Sequence, residues 1–234
     1  MPATALVTGA TEGIGRAIAF ALGKAGFQVG VCARTPPKVE ALLAALRAEG
    51  ITAAGIPCDV GDADQVARFV AHVTERLAPV EVLVNNAGIG VLRPFSEITL
   101  AEWDQVFATN LRSLYLVTSA VLPGMRARQR GDVINISSLA GKRGFPGGTA
   151  YAASKHAVMG FSESLMLEVR KEGIRVVAVC PGSVDTKMSH AQTLFERDPD
   201  KIVRPEDVAS MVLALVQLPR HATVSEIEIR PSSP

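Results

Sequence analysis

The stretch ALVTGATEGIG, residues 5–15, decides the fold of this chain. Residues 5–8 form an apolar run that is typical of a buried strand, and three glycines, Gly9, Gly13 and Gly15, follow it. Beyond Gly15 the apolar residues recur at helical spacing, so the pattern predicts a strand, a tight turn and a helix. Such a unit begins a parallel sheet that is covered by helices.

Seven apolar runs of this kind recur along the chain, with helix-like segments between them. They occupy residues 5–8, 29–32, 53–56, 82–84, 133–136, 176–179 and 227–229. Most are continuously apolar, as expected of strands covered on both faces. The sequence therefore predicts an α/β fold: a single Rossmann-like, doubly wound domain over residues 1–234, with helices on both faces of a seven-stranded parallel sheet.

The composition argues against several classes of function. Lys and Arg number 24 against 23 Asp and Glu, so the net charge of +1 supplies no field for binding nucleic acid. No apolar run reaches the length of roughly 18 residues that a membrane span requires, and no signal-peptide pattern opens the chain. We expect no nucleic-acid partner and no membrane partner.

The cysteines and histidines show no pattern of a disulfide framework or a metal site. Cys32, Cys58 and Cys180 are widely spaced, which is typical of a reduced, cytoplasmic protein. The histidines have no ligand spacing among themselves or with the cysteines, so the sequence predicts no metal centre. They are His72, His156, His190 and His221.

The glycine-rich turn is also a candidate binding loop. Glycine lets a backbone approach a pyrophosphate closely, and the N-terminus of the next helix offers free N–H groups and a positive dipole end. The alternative is a tight connection without a ligand. The candidate binding residues are Gly9, Thr11, Glu12, Gly13, Ile14 and Gly15.

Further motifs follow the spacing T-G-x-x-x-G-x-G, which differs from the ordinary Rossmann fingerprint. In chain order they are Asp59-Val60, Asn85-Asn86-Ala87-Gly88, Asn110, Ser138, Tyr151-Ala152-Ala153-Ser154-Lys155, and Pro181-Gly182 with Thr186. Together they resemble the short-chain dehydrogenase/reductase family over essentially the whole chain. The resemblance implies strand order 3-2-1-4-5-6-7 and an oxidoreductase that uses NADP or NAD.

Tyr151 and Lys155 stand four residues apart, so on a helix their side chains leave from one face. The ordinary pKa of tyrosine is about 10, and a nearby ammonium and an oxidised nicotinamide would lower it. Tyr151 can then act as general acid or base at a carbonyl or alcohol oxygen, which Ser138 also hydrogen-bonds. The resemblance implies that Lys155 holds the nicotinamide ribose and that Asn110 positions a water. The predicted catalytic set is Asn110, Ser138, Tyr151 and Lys155.

The end of the second run favours NADP(H). Ala33 falls where NAD-binding relatives place an acidic residue, and Arg34 can pair with a 2′-phosphate. Glu12 opposes this choice, because many NADP-preferring relatives carry a basic residue there, so NAD(H) stays the alternative. The resemblance assigns further cofactor contacts to Asp59, Val60, Asn86, Ala87, Gly88, Tyr151, Lys155, Pro181, Gly182, Val184 and Thr186.

The predicted activity is NADP(H)-dependent interconversion of a carbonyl and a primary or secondary alcohol on a small substrate. The ending at residues 226–231 and the stretches 140–142 and 145–148 resemble the branch that acts on 3-hydroxy acids and small carbonyls. Three alternatives stay open: a 3-oxoacyl carrier-protein reductase, a non-catalytic NADP(H)-sensing module, and an epimerase or dehydratase that recycles its nicotinamide.

Two expectations concern larger parts of the molecule. Residues 182–204 follow the sixth run and form a candidate substrate-covering segment. A long helix is predicted from Thr99 to Gly131, kinked at Pro123. The resemblance implies a homodimer or homotetramer that assembles through this helix and the helix bearing Tyr151. Apolar residues of the latter helix are Ala157, Val158, Phe161, Leu165, Met166 and Val169.

Overall fold

A seven-stranded parallel sheet forms the centre of the molecule in the computed structural model, which describes residues 3–190 and 202–232. The strand order is β3-β2-β1-β4-β5-β6-β7, and every neighbouring pair is parallel. The predicted fold class and strand order are confirmed. The strands are β1 (Thr4–Thr8), β2 (Gln28–Ala33), β3 (Ala53–Pro57), β4 (Val80–Asn85), β5 (Gly131–Ile136), β6 (Ile174–Pro181) and β7 (Glu226–Ile229).

Most strands are longer than the apolar runs that predicted them. β6 begins at Ile174 and includes Arg175, a residue that an apolar pattern leaves out. Arg175 pairs in register with Asp132 of β5, and its buried guanidinium binds the Asp132 carboxylate. A buried charge is tolerated in a strand only when it is paired, and the sequence of one strand does not show its partner.

Helices cover both faces of the sheet. Apolar side chains of α1, α2 and α8 pack on one face, and those of α3 and α5 pack on the other. The helices are α1 (Gly13–Lys24), α2 (Pro36–Ala48), α3 (Ala63–Arg76), α4 (Leu100–Phe107), α5 (Ser113–Arg128), α6 (Thr149–Val169), α7 (Lys187–His190) and α8 (Pro205–Gln217). Within the described ranges, none of these helices has the length and apolar character needed to cross a bilayer.

The predicted long helix from Thr99 to Gly131 is present, but it contains a π turn and ends earlier. It starts with the expected capping box between Thr99 and Glu102, but residues 108–112 form a π-helical turn between α4 and α5. Pro123 lies inside α5, and the helix ends at Arg128 before Gln129, whose φ of 49° is left-handed. The chain is therefore helical from Leu100 to Arg128, as predicted, but the helix ends before Gly131, and the sequence did not indicate the π turn, which contains Asn110.

The segment that follows β6 returns to the sheet. The amide of Gly182 donates to the carbonyl of Ile229 at 2.8 Å, and Val184 forms an isolated parallel bridge with Val203. Residues 191–201 of the predicted substrate-covering segment lie outside the described residues. The covering role of 182–204 stays a prediction.

Candidate active site

A cavity of about 320 Å³ opens at the carboxyl ends of β1, β2, β4 and β5. This is the edge of an open parallel sheet at which ligands bind. Most of the predicted site residues line it: Gly9, Thr11, Glu12, Gly13, Ile14, Gly15, Arg34, Asp59, Val60, Asn86, Ala87, Gly88, Tyr151, Lys155 and Thr186. The cavity wall does not include Asn110, Ser138, Pro181, Gly182 or Val184.

The glycine-rich loop packs tightly against the loop that follows β4. Gly9 has a φ of 63°, and a Cβ there would lie 2.8 Å from the Cα of Ala87. The hydroxyl of Thr8 accepts from the amides of Asn86 and Ala87 at 3.0 Å each. The side-chain amide of Asn86 donates to the carbonyls of Thr8 and Gly9 at 2.9 and 3.1 Å. These bonds hold the two loops together along one wall of the cavity.

Tyr151 and Lys155 line the cavity, and Ser138 lies next to Tyr151. Ser138 follows β5, and its hydroxyl is hydrogen-bonded to Tyr151 near the start of α6. Nζ of Lys155 lies 5.9 Å from the centroid of the Tyr151 ring and donates to the carbonyl of Ile136 at 2.8 Å. The predicted grouping of the three side chains is therefore present in the structure.

Burial controls the acidity of both titratable groups. It raises the pKa of Tyr151, while the hydrogen bond from Ser138 lowers it by a smaller amount. Burial also lowers the pKa of Lys155 to about 8. The expected lowering of the tyrosine pKa by the ammonium is not found in the protein alone, because burial of the phenol dominates. The lowering of this pKa by an oxidised nicotinamide stays a prediction.

Asn110 lies behind the cavity and is fully buried in the π turn. Its side-chain oxygen accepts from the amide of Ile89 at 2.8 Å. Its side-chain nitrogen donates to the carbonyl of Ile89 at 2.9 Å and to the hydroxyl of Ser154 at 3.0 Å. Ser154 in turn donates to the carbonyl of Tyr151 at 2.7 Å. Asn110 thus ties the loop after β4 to the helix that carries the tyrosine, and its water-positioning role stays a prediction.

The segment after β6 brings one predicted residue to the cavity. A Cβ on Gly13 would lie 3.1 Å from Cγ2 of Thr186, so this threonine sits against the glycine-rich loop. Pro181 ends β6, and Val184 is buried against Val203. These positions do not test the predicted contacts of Pro181, Gly182 and Val184 with the nicotinamide end of the cofactor.

Lys38 and Lys187 also line the cavity, and the sequence reasoning missed both. Oε2 of Glu12 lies 3.4 Å from Nζ of Lys38 and 3.2 Å from Nζ of Lys187. Burial alone would raise the pKa of Glu12, but hydrogen bonds and charges from the two lysines lower it overall. Lys38 could have been found, because it stands four residues after Arg34, in the first turn of a predicted helix. Lys187 gives no such local signal.

Across residues 3–190 and 202–232, no three His, Cys, Asp or Glu side chains form a group suited to a metal ion. The cavity instead brings a glycine-rich loop at a helix N-terminus together with Tyr151 and Lys155, and Ser138 is hydrogen-bonded to Tyr151. On a Rossmann-like sheet, this arrangement defines an oxidoreductase that works with a nicotinamide dinucleotide. The chain belongs to the short-chain dehydrogenase family, whose sequence profile matches residues 3–197.

Known relatives include ketoreductases. The chain is 41% identical over 230 residues to a Streptomyces coelicolor protein named "Putative ketoacyl reductase", across 95% of this chain and 86% of that protein. It is 41% identical over 194 residues to the 3-oxoacyl-(acyl-carrier-protein) reductase FabG of Pseudomonas aeruginosa, across 83% and 78% of the two chains. A crystal structure of an actinorhodin polyketide ketoreductase variant with NADPH matches with a TM-score of 0.91 and 38% identity, across 98% of this chain and 96% of the other. The predicted 3-hydroxy acid branch is not confirmed by these relatives.

Proposed function

We propose that this chain reduces a ketone to an alcohol with NADPH, and that ketoacyl compounds are its substrate class. The observation that carries the reaction is the grouping of Ser138 with Tyr151 and Lys155, of which the last two line the cavity. The ketoacyl names of the relatives support the substrate class and favour it over the small 3-hydroxy acids.

Tyr151 supplies the proton in this proposal. When bound, the cofactor supplies the hydride that adds to the carbonyl carbon. The raised pKa of Tyr151 keeps its hydroxyl protonated at neutral pH, so the phenol can donate to the carbonyl oxygen as negative charge develops there. Ser138 hydrogen-bonds the tyrosine, and in this proposal its hydroxyl also donates to the same oxygen. The ammonium of Lys155, beside the ring, favours the phenolate that is left after proton transfer.

The cofactor choice rests on the end of β2. Ala33 and Arg34 line the cavity there, so no carboxylate of β2 opposes a 2′-phosphate, and a guanidinium can pair with it. The ketoreductase structure with NADPH supports the same choice. NAD(H) is the alternative.

Loss of NADPH absorbance with 3-oxoacyl thioesters, ketones and aldehydes tests the proposal, with Tyr151→Phe as the critical variant. Turnover should fall by about 10²–10⁴-fold, because general acid catalysis is lost, while NADPH binding should change little. The chain has two tyrosines, so Tyr115→Phe on α5 is a matched control that should keep its turnover. Full turnover in Tyr151→Phe contradicts the proposed role. Tight NADPH binding without any turnover in the unaltered protein favours a sensing module.

A further inference from the structure

The Glu12 carboxylate joins three separate segments at the end of the cavity near β2. Glu12 belongs to the glycine-rich loop, Lys38 to the first turn of α2, and Lys187 to α7. Both ammonium groups contact the same carboxylate oxygen, at 3.4 and 3.2 Å. Arg34 lines the cavity beside them. The four side chains carry a net charge of +2, because they comprise three cations and one carboxylate.

The backbone at the start of α2 offers few donors to an anion. Pro36 and Pro37 occupy the first two helical positions and have no N–H. The amide of Lys38 donates to the carbonyl of Thr35 at 3.1 Å. Side chains are therefore important donors for a phosphate near this helix, and Arg34 and Lys38 are the cations that the β2–α2 connection brings to the cavity. The Lys38 side chain is 49% exposed, so it can reorient toward a ligand.

We propose that Lys38 is a second cation, beside Arg34, for the 2′-phosphate of NADP(H), and that Glu12 competes with this phosphate for Lys38. The inference rests on the proposed cofactor. A phosphate monoester carries a charge of about −1.5 to −2 at neutral pH, which one guanidinium neutralises only in part. Lys38 can leave Glu12 without stranding a bare carboxylate, because Lys187 stays on the same oxygen. An acidic residue in the glycine-rich loop is then compatible with NADP(H).

Lys187 has a different role from Lys38 in this assignment. It contacts the same oxygen as Lys38, but it follows Thr186, which lies against Gly13. It therefore reaches Glu12 from the segment after β6 and not from the β2–α2 connection. Without Lys187, Glu12 would hold Lys38 more strongly, so loss of Lys187 should weaken the binding of the 2′-phosphate, but less than loss of Lys38 itself.

Calorimetry with 2′,5′-ADP and 5′-AMP isolates the phosphate that distinguishes the cofactors. Lys38→Ala should weaken the binding of 2′,5′-ADP by roughly fivefold to tenfold, because one charge-assisted contact is lost. The affinity for 5′-AMP should change by less than about twofold. Lys38→Arg should keep most of the affinity for 2′,5′-ADP. Lys187→Ala should weaken the binding of 2′,5′-ADP by a smaller factor than Lys38→Ala does, because Lys38 is still present. NADPH and NADH should show the same pattern by fluorescence titration.

A double-mutant cycle tests the competition. Glu12→Gln should tighten the binding of 2′,5′-ADP by about twofold to fivefold, since a partly exposed ion pair no longer holds Lys38. In the Lys38→Ala background the same change should have a clearly smaller effect on the preference for 2′,5′-ADP over 5′-AMP. These side chains are partly exposed, so circular dichroism should show that all the variants fold.

Three results would overturn the assignment: equal weakening of both ligands by Lys38→Ala, no weakening of either, or weaker 2′,5′-ADP binding in Glu12→Gln. An unaltered protein that binds 2′,5′-ADP no better than 5′-AMP also overturns it, together with the proposed cofactor. A protein with the expected binding pattern that reduces no carbonyl contradicts the proposed reaction alone.

Discussion

Lys155 combines a proposed role in the reaction with a cost to the stability of the fold. Its side chain is buried, with the residue 5% exposed, and burial lowers its pKa to about 8. The ordinary lysine pKa of about 10.4 applies in the unfolded chain. Between these two values the unfolded state binds more protons than the folded state, so this group makes the protein more stable as pH rises from about 8 to about 10.4. Below about pH 8 the protein bears the full cost of a buried ammonium.

Lys155→Met should raise the free energy of unfolding at pH 7 by roughly 1–3 kcal/mol, because the burial cost exceeds the loss of the bond to Ile136. The same variant should lose turnover. The stability gain should shrink by pH 10, where the unaltered protein has released the proton. Urea denaturation at pH 7 and pH 10 measures both values. A variant that is less stable than the unaltered protein at pH 7 contradicts this account.

Glu12 shows how far the sequence leads at the level of one residue. Its place in the glycine-rich loop predicted contact with the cofactor cavity and opposition to NADP(H), and it does line that cavity. Whether Glu12 opposes NADP(H) depends on the cations that contact its carboxylate. Lys187 follows β6, which is separated from β2 in the sheet by three other strands. A carboxylate bound to two ammonium groups does not present a full negative charge. Only the fold brings these charges together.

Among the elements, the glycine-rich loop depends on the absence of a side chain at Gly15. A Cβ there would lie 2.5 Å from the carbonyl of Gly9 and would clash with the side-chain amide of Asn86. Gly15→Ala should therefore lower the free energy of unfolding by about 1–3 kcal/mol and weaken NADPH binding by at least about tenfold. Thermal unfolding and fluorescence titration check the two effects.

Gly160→Ala is the matched control for this substitution. Gly160 lies in α6, and a Cβ there would meet no atom within 4 Å. Alanine should stabilise a helix at such a position by about 0.5–1 kcal/mol, and NADPH binding should not change. Unaltered NADPH binding in Gly15→Ala would contradict the role given to the loop.

The strands and helices were largely predictable from the sequence, but the π turn inside the long helix was not. Seven apolar runs located all seven strands, because a strand covered on both faces must be apolar along its length. Their order came from the family resemblance, since local patterns do not state which strands pair. The π turn around Asn110 was missed, because it depends on bonds to Ile89 and Ser154, which lie elsewhere in the chain.

The structure narrows the set of α6 residues that can form the predicted assembly face. Val158 and Val169 of α6 are buried within the subunit, and Leu165 and Met166 pack against its core. These four residues therefore serve the fold itself. The large apolar side chain that α6 exposes is Leu167, at 52%, and α5 exposes Tyr115, at 62%.

The proposed homodimer or homotetramer should therefore depend on Leu167. Buried apolar surface drives association, and full burial of one leucine contributes roughly 2 kcal/mol. In a two-fold interface each substitution acts twice, so Leu167→Glu should move the protein to a smaller assembly at micromolar concentration. Size-exclusion chromatography with light scattering measures the mass.

Ala44→Glu is the control for the added charge, because Ala44 is an exposed residue of α2, a helix outside the proposed interface. It should leave the mass of the assembly unchanged. An unaltered protein that is monomeric at micromolar concentration contradicts the assembly. If Leu167→Glu and Ala44→Glu both keep the original mass, the protein assembles through a different surface, and the exposed apolar residues of α5 and α6 need another explanation.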